Sequence, residues 1–94
     1  MIKTFADREA QKIFYLEQST KLPPDIKRAI MRKLSIIDAA TNINDLRIPP
    51  GNHLEKLKGN RAHQHSIRIN DQWRICFTWK ENNAYDIEIA DYHS

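Results

Sequence analysis

The chain of 94 residues has 15 Lys and Arg against 12 Asp and Glu, which gives a formal net charge of +3 at pH 7. A hydrophobic content of 40% fits one small core rather than a disordered linker, and no apolar run is long enough to cross a bilayer. The first residues lack the apolar segment of a secretory signal, and Cys76 has no partner for an internal disulfide. We therefore expect a soluble, cytoplasmic protein with a single domain over residues 1–94 and no membrane-bound part.

The N-terminal half is predicted to be mainly helical. Met1–Phe5 alternates apolar and polar residues, which indicates a short first strand, and Asp7 is placed to cap a helix that runs to about Gln18. Apolar residues at helical spacing predict a second helix of about four turns that begins near Pro24. Asn42–Asn52 contains two prolines and a glycine, so we predict a loop there.

The C-terminal half is predicted to be a sheet, because the apolar period changes to two after the loop. The predicted strands are Leu54–Leu57, His65–Ile69, Trp73–Trp79 and Tyr85–Asp91. Two helices followed by antiparallel strands correspond to the α+β class, with both N-terminal helices packed on a small, mostly antiparallel sheet.

The apolar residues also predict the register of the hairpins. A three-residue loop at Asn70–Gln72 brings Ile67 opposite Ile75 and sets Arg68 opposite Arg74 on the other, open face. Like charges in that position destabilise a sheet, so we expect an anion nearby. A three-residue loop at 81–83 predicts these further pairs: Trp79 with Tyr85, Phe77 with Ile87, Ile75 with Ile89, and Arg74 with Ala90.

Cations concentrate between positions 56 and 74, where five Lys and Arg residues accompany a single acid, Asp71. This distribution is typical of a surface that binds a polyanion, although a solvated face that only aids solubility would have the same composition. The predicted RNA-binding residues are Lys56, Arg61 and Arg68. His63 and His65 have no cysteine near them, so we predict no metal site.

The end of the chain carries groups that suit RNA cleavage without a metal. His93 can exchange protons near neutral pH, and Arg74 with Lys58 would stabilise the charge that develops on the phosphate. Tyr92 offers either a ring for stacking on a base or a hydroxyl near the leaving oxygen. Asp91 would orient His93 or act as the base itself, and the sequence leaves both roles open.

Several segments resemble the HigB toxins of the RelE superfamily. They include Leu57–Arg61, His65–Phe77 and the closing Asp91-Tyr92-His93, and the match extends over nearly the whole chain. The resemblance implies a RelE-like fold and a bacterial type II toxin that cuts mRNA in the ribosomal A site without a cofactor. It also implies a HigA-like helix-turn-helix antitoxin as partner. The family's chemistry would fall here on Lys58, Arg74, Asp91, Tyr92 and His93.

One position departs from the family pattern. Some members have a further catalytic histidine three residues before the lysine, where this chain has Glu55, with His53 close by. Glu55 would then act as general base, or the chemistry would depend on the C-terminal trio alone.

Two other functions are compatible with the sequence, a non-catalytic binder of RNA or ribosomes and a gyrase inhibitor like ParE. The second has no need for a terminal Tyr-His pair.

Overall fold

The computed structural model describes residues 1–17 and 22–91. Its helices are α1 (Arg8–Phe14) and α2 (Pro24–Ala39), and its strands are β1 (Glu55–Lys56), β2 (Gln64–Arg68), β3 (Trp73–Lys80) and β4 (Asn83–Asp91). The strands form one antiparallel sheet in the order β1-β2-β3-β4. The predicted α+β class with two N-terminal helices is confirmed. Within the described ranges, no helix has the length and apolar character needed to span a membrane.

The hydrophobic core lies between the two helices and one face of the sheet, which we call the helix face. Pro24 occupies the first turn of α2, where its missing N–H is not needed. The buried side chains of this helix then recur at helical spacing, so that one stripe faces the sheet. The largest fully buried apolar residues of the core are Ile30, Leu34, Ile37, Leu46, Ile67, Ile75, Phe77 and Ile87.

Helix α1 is shorter than predicted. Asp7 caps it as expected, because its carboxylate accepts the backbone N–H two residues further on at 2.8 Å. The helix ends at Phe14 rather than near Gln18, since Leu16 has a left-handed backbone with φ of 59° that cannot continue a right-handed helix. Gln18 itself lies outside the described residues.

The predicted first strand lies beside β4 without forming a continuous ladder. Ile2 and Phe5 make isolated parallel bridges to Ala84 and Ile87. Between these bridges β4 has an irregularity at Asp86, which interrupts regular pairing. The N-terminal segment nevertheless covers the outer edge of β4, which protects an otherwise unpaired strand.

The turn between β3 and β4 differs from the prediction. It contains two residues, Glu81 and Asn82, both with positive φ, as in the tight hairpin turns that match the twist of a sheet. Trp79 therefore pairs with Ala84, and the predicted pairing with Tyr85 is wrong.

A bulge in β4 then restores the predicted register at the far end of the hairpin. Asp86 has a φ of 56°, and the register shifts between Cys76 and Thr78. An inserted residue of this kind lets two residues of one strand oppose one residue of the other, so the predicted pair of Phe77 with Ile87 falls within the irregular stretch. Beyond the bulge the predicted pairs are present, namely Ile75 with Ile89 and Arg74 with Ala90.

The predicted loop at 42–52 is ordered by two short 3-10 turns, Ile43–Arg47 and Pro50–Asn52. Leu46 and Asn52 within it are fully buried. Neither residue belongs to a repeating apolar pattern, so the sequence pattern could not identify them as core residues. This segment leads directly into β1 and forms one wall of the site described below.

Candidate active site

Arg74 is a buried cation on the second face of the sheet, the side opposite the helix face. Alternation along β2 and β3 places polar and small residues there. Arg74 is only 9% exposed. Its Nε donates to Ser66 Oγ at 2.8 Å, and its Nη2 donates to the carbonyl oxygens of His53 at 2.5 Å and Ser66 at 3.3 Å. These oxygens fix the plane and the direction of the guanidinium.

Arg68 pairs with Arg74 across the two strands, which is the predicted register. The prediction that both lie on an open face is wrong, because Arg74 is buried against neutral oxygens. Arg68 is partly exposed and forms an ion pair with Asp71 in the hairpin loop. Asp71 is an anion of the kind expected here and pairs with Arg68, and Arg74 donates to the Ser66 hydroxyl and to two carbonyl oxygens.

The carbonyl that accepts the hydrogen bond from Arg74 Nη2 belongs to His53, a residue with an unusual backbone conformation. His53 has φ of 43° and ψ of 59°, the left-handed conformation, which costs about 1 kcal/mol or more for a residue other than glycine. It follows the Pro50–Asn52 turn, and its N–H donates to Pro50 O at 3.1 Å. Surrounding contacts must stabilise this conformation, and they thereby determine where the carbonyl lies.

Lys58 lies at the opposite end of β2 from Arg74. The N–H of Leu57, the residue before Lys58, donates to Gln64 O at 2.9 Å at the start of β2, whereas Arg74 pairs with Arg68 at the end of β2. Four residues of strand separate these two levels, which corresponds to about 13 Å along the sheet. The expected meeting of Lys58 and Arg74 at one rim thus depends on the long, exposed lysine side chain, because their backbones lie apart.

Arg61 reaches across the second face from the turn after β1. Its Nη1 donates to Gln64 Oε1 at 2.9 Å and to Glu88 Oε1 at 2.7 Å. The side chains of Arg61 and Glu88 are 43% and 37% exposed, so their ion pair contributes little to stability. It does connect the turn to β4 across this face. An RNA phosphate that binds Arg61 has to compete with the Glu88 carboxylate.

Lys56 lies on the other side of the sheet. It pairs with His65, whose ring is stacked with Phe77 on the helix face at 6.4 Å between centroids. Burial first, and then the charges of Lys56 and Arg47, lower the pKa of His65. The predicted RNA-binding residues therefore divide between two faces, with Arg61 and Arg68 on the second face and Lys56 on the helix side.

The closing tripeptide is described only in part. Asp91 pairs with Trp73, a residue of the helix face, and its Oδ2 accepts from Gln72 Nε2 at 3.2 Å. Ala90 pairs with Arg74, so a small side chain lies beside the guanidinium. Tyr92 and His93 lie outside the described residues, and their approach to Arg74 stays a sequence-based prediction.

Sequence reasoning did not place several polar residues of the second face. Glu55 pairs with Ser66, the residue that holds Arg74, and Glu88 pairs with the fully buried Cys76. The alternation of polar and small residues along β2 and β3 was a signal that could have located Ser66 and Gln64. Among residues 1–17 and 22–91, no three His, Cys, Asp or Glu side chains are grouped closely enough to hold a metal ion.

Comparison with known proteins identifies the family. A family model described as the RelE-like toxin of the type II toxin-antitoxin system HigB matches residues 3–93. The chain belongs to the HigB-like toxin family. Toxin HigB-1 of Vibrio cholerae is 41% identical over 85 residues, which cover 89% of this chain and 90% of that protein. Endoribonuclease HigB of Proteus vulgaris is 32% identical over 93 residues, covering 99% and 100% respectively.

Solved structures agree with this assignment. The HigB-like toxin superimposes on a chain of the heterotetrameric YoeB–YefM toxin-antitoxin complex from Staphylococcus aureus with a TM-score of 0.61 and 25% identity, over 100% of this chain and 99% of the other. A second YoeB–YefM structure from the same organism gives a TM-score of 0.57 at 24% identity, a likeness of fold alone. The predicted family and RelE-like fold are confirmed, and a toxin of a type II system has an antitoxin as its partner.

Proposed function

We propose that this HigB-like toxin is an endoribonuclease that cuts translated mRNA in the ribosomal A site and thereby arrests translation and growth. The observation that carries the proposal is Arg74, a nearly buried guanidinium fixed by Ser66 and His53. A relative that matches the chain over 99% of its length is named an endoribonuclease, which supports the same activity here. The toxin acts in the cytoplasm, where translated messages are found.

RNA provides its own nucleophile for this reaction. The 2′-oxygen forms a bond to the adjacent phosphorus, and the bond from phosphorus to the 5′-oxygen of the next nucleotide breaks. A base takes the proton of the 2′-hydroxyl, and an acid gives a proton to the leaving 5′-oxygen. The products are a 2′,3′-cyclic phosphate and a 5′-hydroxyl. This route needs a proton acceptor, a proton donor and fixed positive charge, and no cofactor takes part in it.

Arg74 and Lys58 are the proposed sources of positive charge. A guanidinium that is already held by neutral oxygens needs no reorganisation when charge develops on the phosphate, and such preorganised groups give large rate effects. Lys58 is exposed at the turn after β1, and its long side chain is proposed to extend along β2 towards a phosphate near Arg74. Arg61 and Arg68 bind neighbouring phosphates, and Lys56 contacts RNA from the helix side.

His93 is the proposed proton donor, and Tyr92 is proposed to stack on a base or to assist the leaving oxygen. For the proton acceptor the strand pairing supports Glu55, because it lies opposite Ser66 on the face that carries Arg74. Asp91 is then proposed to orient His93, and Gln72 donates to its carboxylate at the end of β4. A Glu55→Gln variant that cleaves normally would return the base to Asp91 or His93.

The antitoxin is proposed to be a HigA-like helix-turn-helix protein that holds the toxin inactive and represses the operon they share. Its gene should adjoin the toxin gene. A neighbouring reading frame without a helix-turn-helix motif would contradict this partner, while leaving the cleavage activity unaffected.

The activity can be tested with purified ribosomes programmed with a short mRNA. We expect a single cut in the A-site codon, with a 2′,3′-cyclic phosphate and a 5′-hydroxyl at the new ends, identified by mass spectrometry. A message with a 2′-deoxy nucleotide at the scissile position should stay intact because it lacks the nucleophile. A double variant, Lys58→Ala with His93→Gln, should bind ribosomes but leave the message uncut.

Two results would overturn the proposal. Cleavage of naked RNA at the same rate would show that the toxin does not need the ribosome for cleavage. Tight ribosome binding with no cleaved message at any toxin concentration would instead support a non-catalytic inhibitor that uses the same basic residues.

A further inference from the structure

Lys33 and Asn52 form a buried polar pair next to the backbone that holds Arg74. Lys33 lies on α2 and is 7% exposed, and its Nζ donates to Asn52 Oδ1 at 2.5 Å. Asn52 is fully buried, and its Nδ2 donates to the carbonyls of Leu46 at 3.1 Å and Ile48 at 3.3 Å. Both polar atoms of the amide are therefore used to tie the segment before β1 to itself and to α2.

The pair lies one residue away from the carbonyl that holds Arg74. His53 follows Asn52 directly, and Arg74 Nη2 donates to the His53 carbonyl. Because peptide units are planar, only the φ and ψ angles of His53 separate that carbonyl from the peptide that Asn52 anchors. A series of contacts thus connects α2 to the guanidinium through Lys33, Asn52 and the left-handed backbone of His53.

Stability alone does not explain a lysine at this position. In the part of the chain that the structure describes, no carboxylate lies within ion-pair distance of Lys33, and its acceptor is a neutral amide. Burial first, and then the charges of Arg32 and Arg68, lower the pKa of Lys33. An apolar side chain of similar length would fill the same space without the desolvation of a cation. The polar pair therefore needs another role.

We propose that Lys33 and Asn52 are positioning residues that fix the orientation of Arg74 through the His53 carbonyl. Neither side chain touches RNA in this account. They hold the backbone that holds the guanidinium, so that its charge is in place when the phosphate is attacked. The effect on cleavage rests on the proposed function, whereas the effect on the orientation of Arg74 does not.

The first test is the variant Lys33→Met, with Arg32→Met as its matched control. Both changes remove one cation from neighbouring positions of α2, but Arg32 is exposed. In single-turnover cleavage on programmed ribosomes, Lys33→Met should lower the rate constant at saturating toxin by about tenfold, with the half-saturating concentration changed by less than about twofold. Its unfolding midpoint should equal or exceed that of the wild type, and Arg32→Met should behave as the wild type in both assays.

The second test observes Arg74 directly in the isolated toxin. The ¹⁵N–¹H resonance of Arg74 Nε should move or broaden in Lys33→Met and stay in place in Arg32→Met. If Lys33→Met does not fold, Asn52→Asp provides the same readout, because it keeps an oxygen for Lys33 and loses the two N–H groups that bind Leu46 and Ile48.

The outcomes separate the two proposals. A wild-type Arg74 resonance together with a wild-type rate in the variants would overturn the positioning role. A rate loss that follows a proportional loss of stability, with Arg74 undisturbed, would also overturn it. If the wild-type toxin cleaves no RNA on ribosomes, the proposed function fails, and the Arg74 resonance still decides whether Lys33 and Asn52 position this side chain.

Discussion

Both faces of the sheet contain buried side chains, but different interactions hold them in place. On the helix face Ile67, Ile75 and Phe77 are fully buried among apolar side chains. On the second face Ser66 is fully buried and Arg74 nearly so, and hydrogen bonds join them. Apolar burial stabilises in proportion to area and has no preferred direction, whereas a buried donor needs an acceptor at a particular place. We therefore expect the helix face to determine stability and the second face to determine activity.

The largest effect is expected from Phe77→Ala. Removal of this fully buried ring should lower the free energy of unfolding by about 3 to 5 kcal/mol, measured by urea denaturation. The matched control is Thr78→Val, one residue along β3 and on the second face. Thr78 Oγ1 is buried without a hydrogen-bond partner in the described part of the chain, so an isosteric methyl group should leave stability nearly unchanged or raise it slightly. Equal losses in both variants would remove the distinction between the faces.

Arg74→Lys should show the opposite behaviour. A lysine has one compact ammonium group and cannot donate to Ser66 and to His53 in the geometry of a guanidinium. Cleavage on ribosomes should therefore slow by about 10²- to 10³-fold, while the circular dichroism spectrum stays that of the folded protein. Arg68→Lys, at the partner position on β2, should reduce the rate only a few-fold because Arg68 pairs with an exposed carboxylate. A similar loss in both variants would indicate a general charge effect.

The smallest effect is expected from the titration of His65 on the helix face. Its pKa is lowered in the folded protein from the ordinary value of 6.5, by burial and then by Lys56 and Arg47. The unfolded chain then binds a proton more readily, so stability should be fully present above that value and decline as the pH falls below it. Denaturation curves between about pH 7.5 and 5 should show this decline in the wild type and a weaker one in His65→Gln. As a control, the variant His63→Gln, at an exposed position, should show the same decline of stability with falling pH as the wild type.

The sequence predicted the order of the elements, the family and the register of β2 with β3. The family follows from the resemblance, and the register follows from a local rule, because a shift of one residue would move Ile67 and Ile75 out of the core together. The β3–β4 hairpin shows the limit of such reasoning. A three-residue loop and a two-residue turn followed by a bulge both bring Arg74 beside Ala90, so the apolar pattern could not distinguish them.

For the candidate site, the sequence by itself determined which cations are available and that Arg68 and Arg74 oppose each other. Only the tertiary structure decided that Arg74 is buried, that Lys56 lies on the other side of the sheet, and that Lys33 donates to Asn52 next to His53. The physical reason is separation along the chain. Lys33 and Asn52 are 19 positions apart and His53 and Arg74 are 21 positions apart, and contacts over such separations leave no periodic signal.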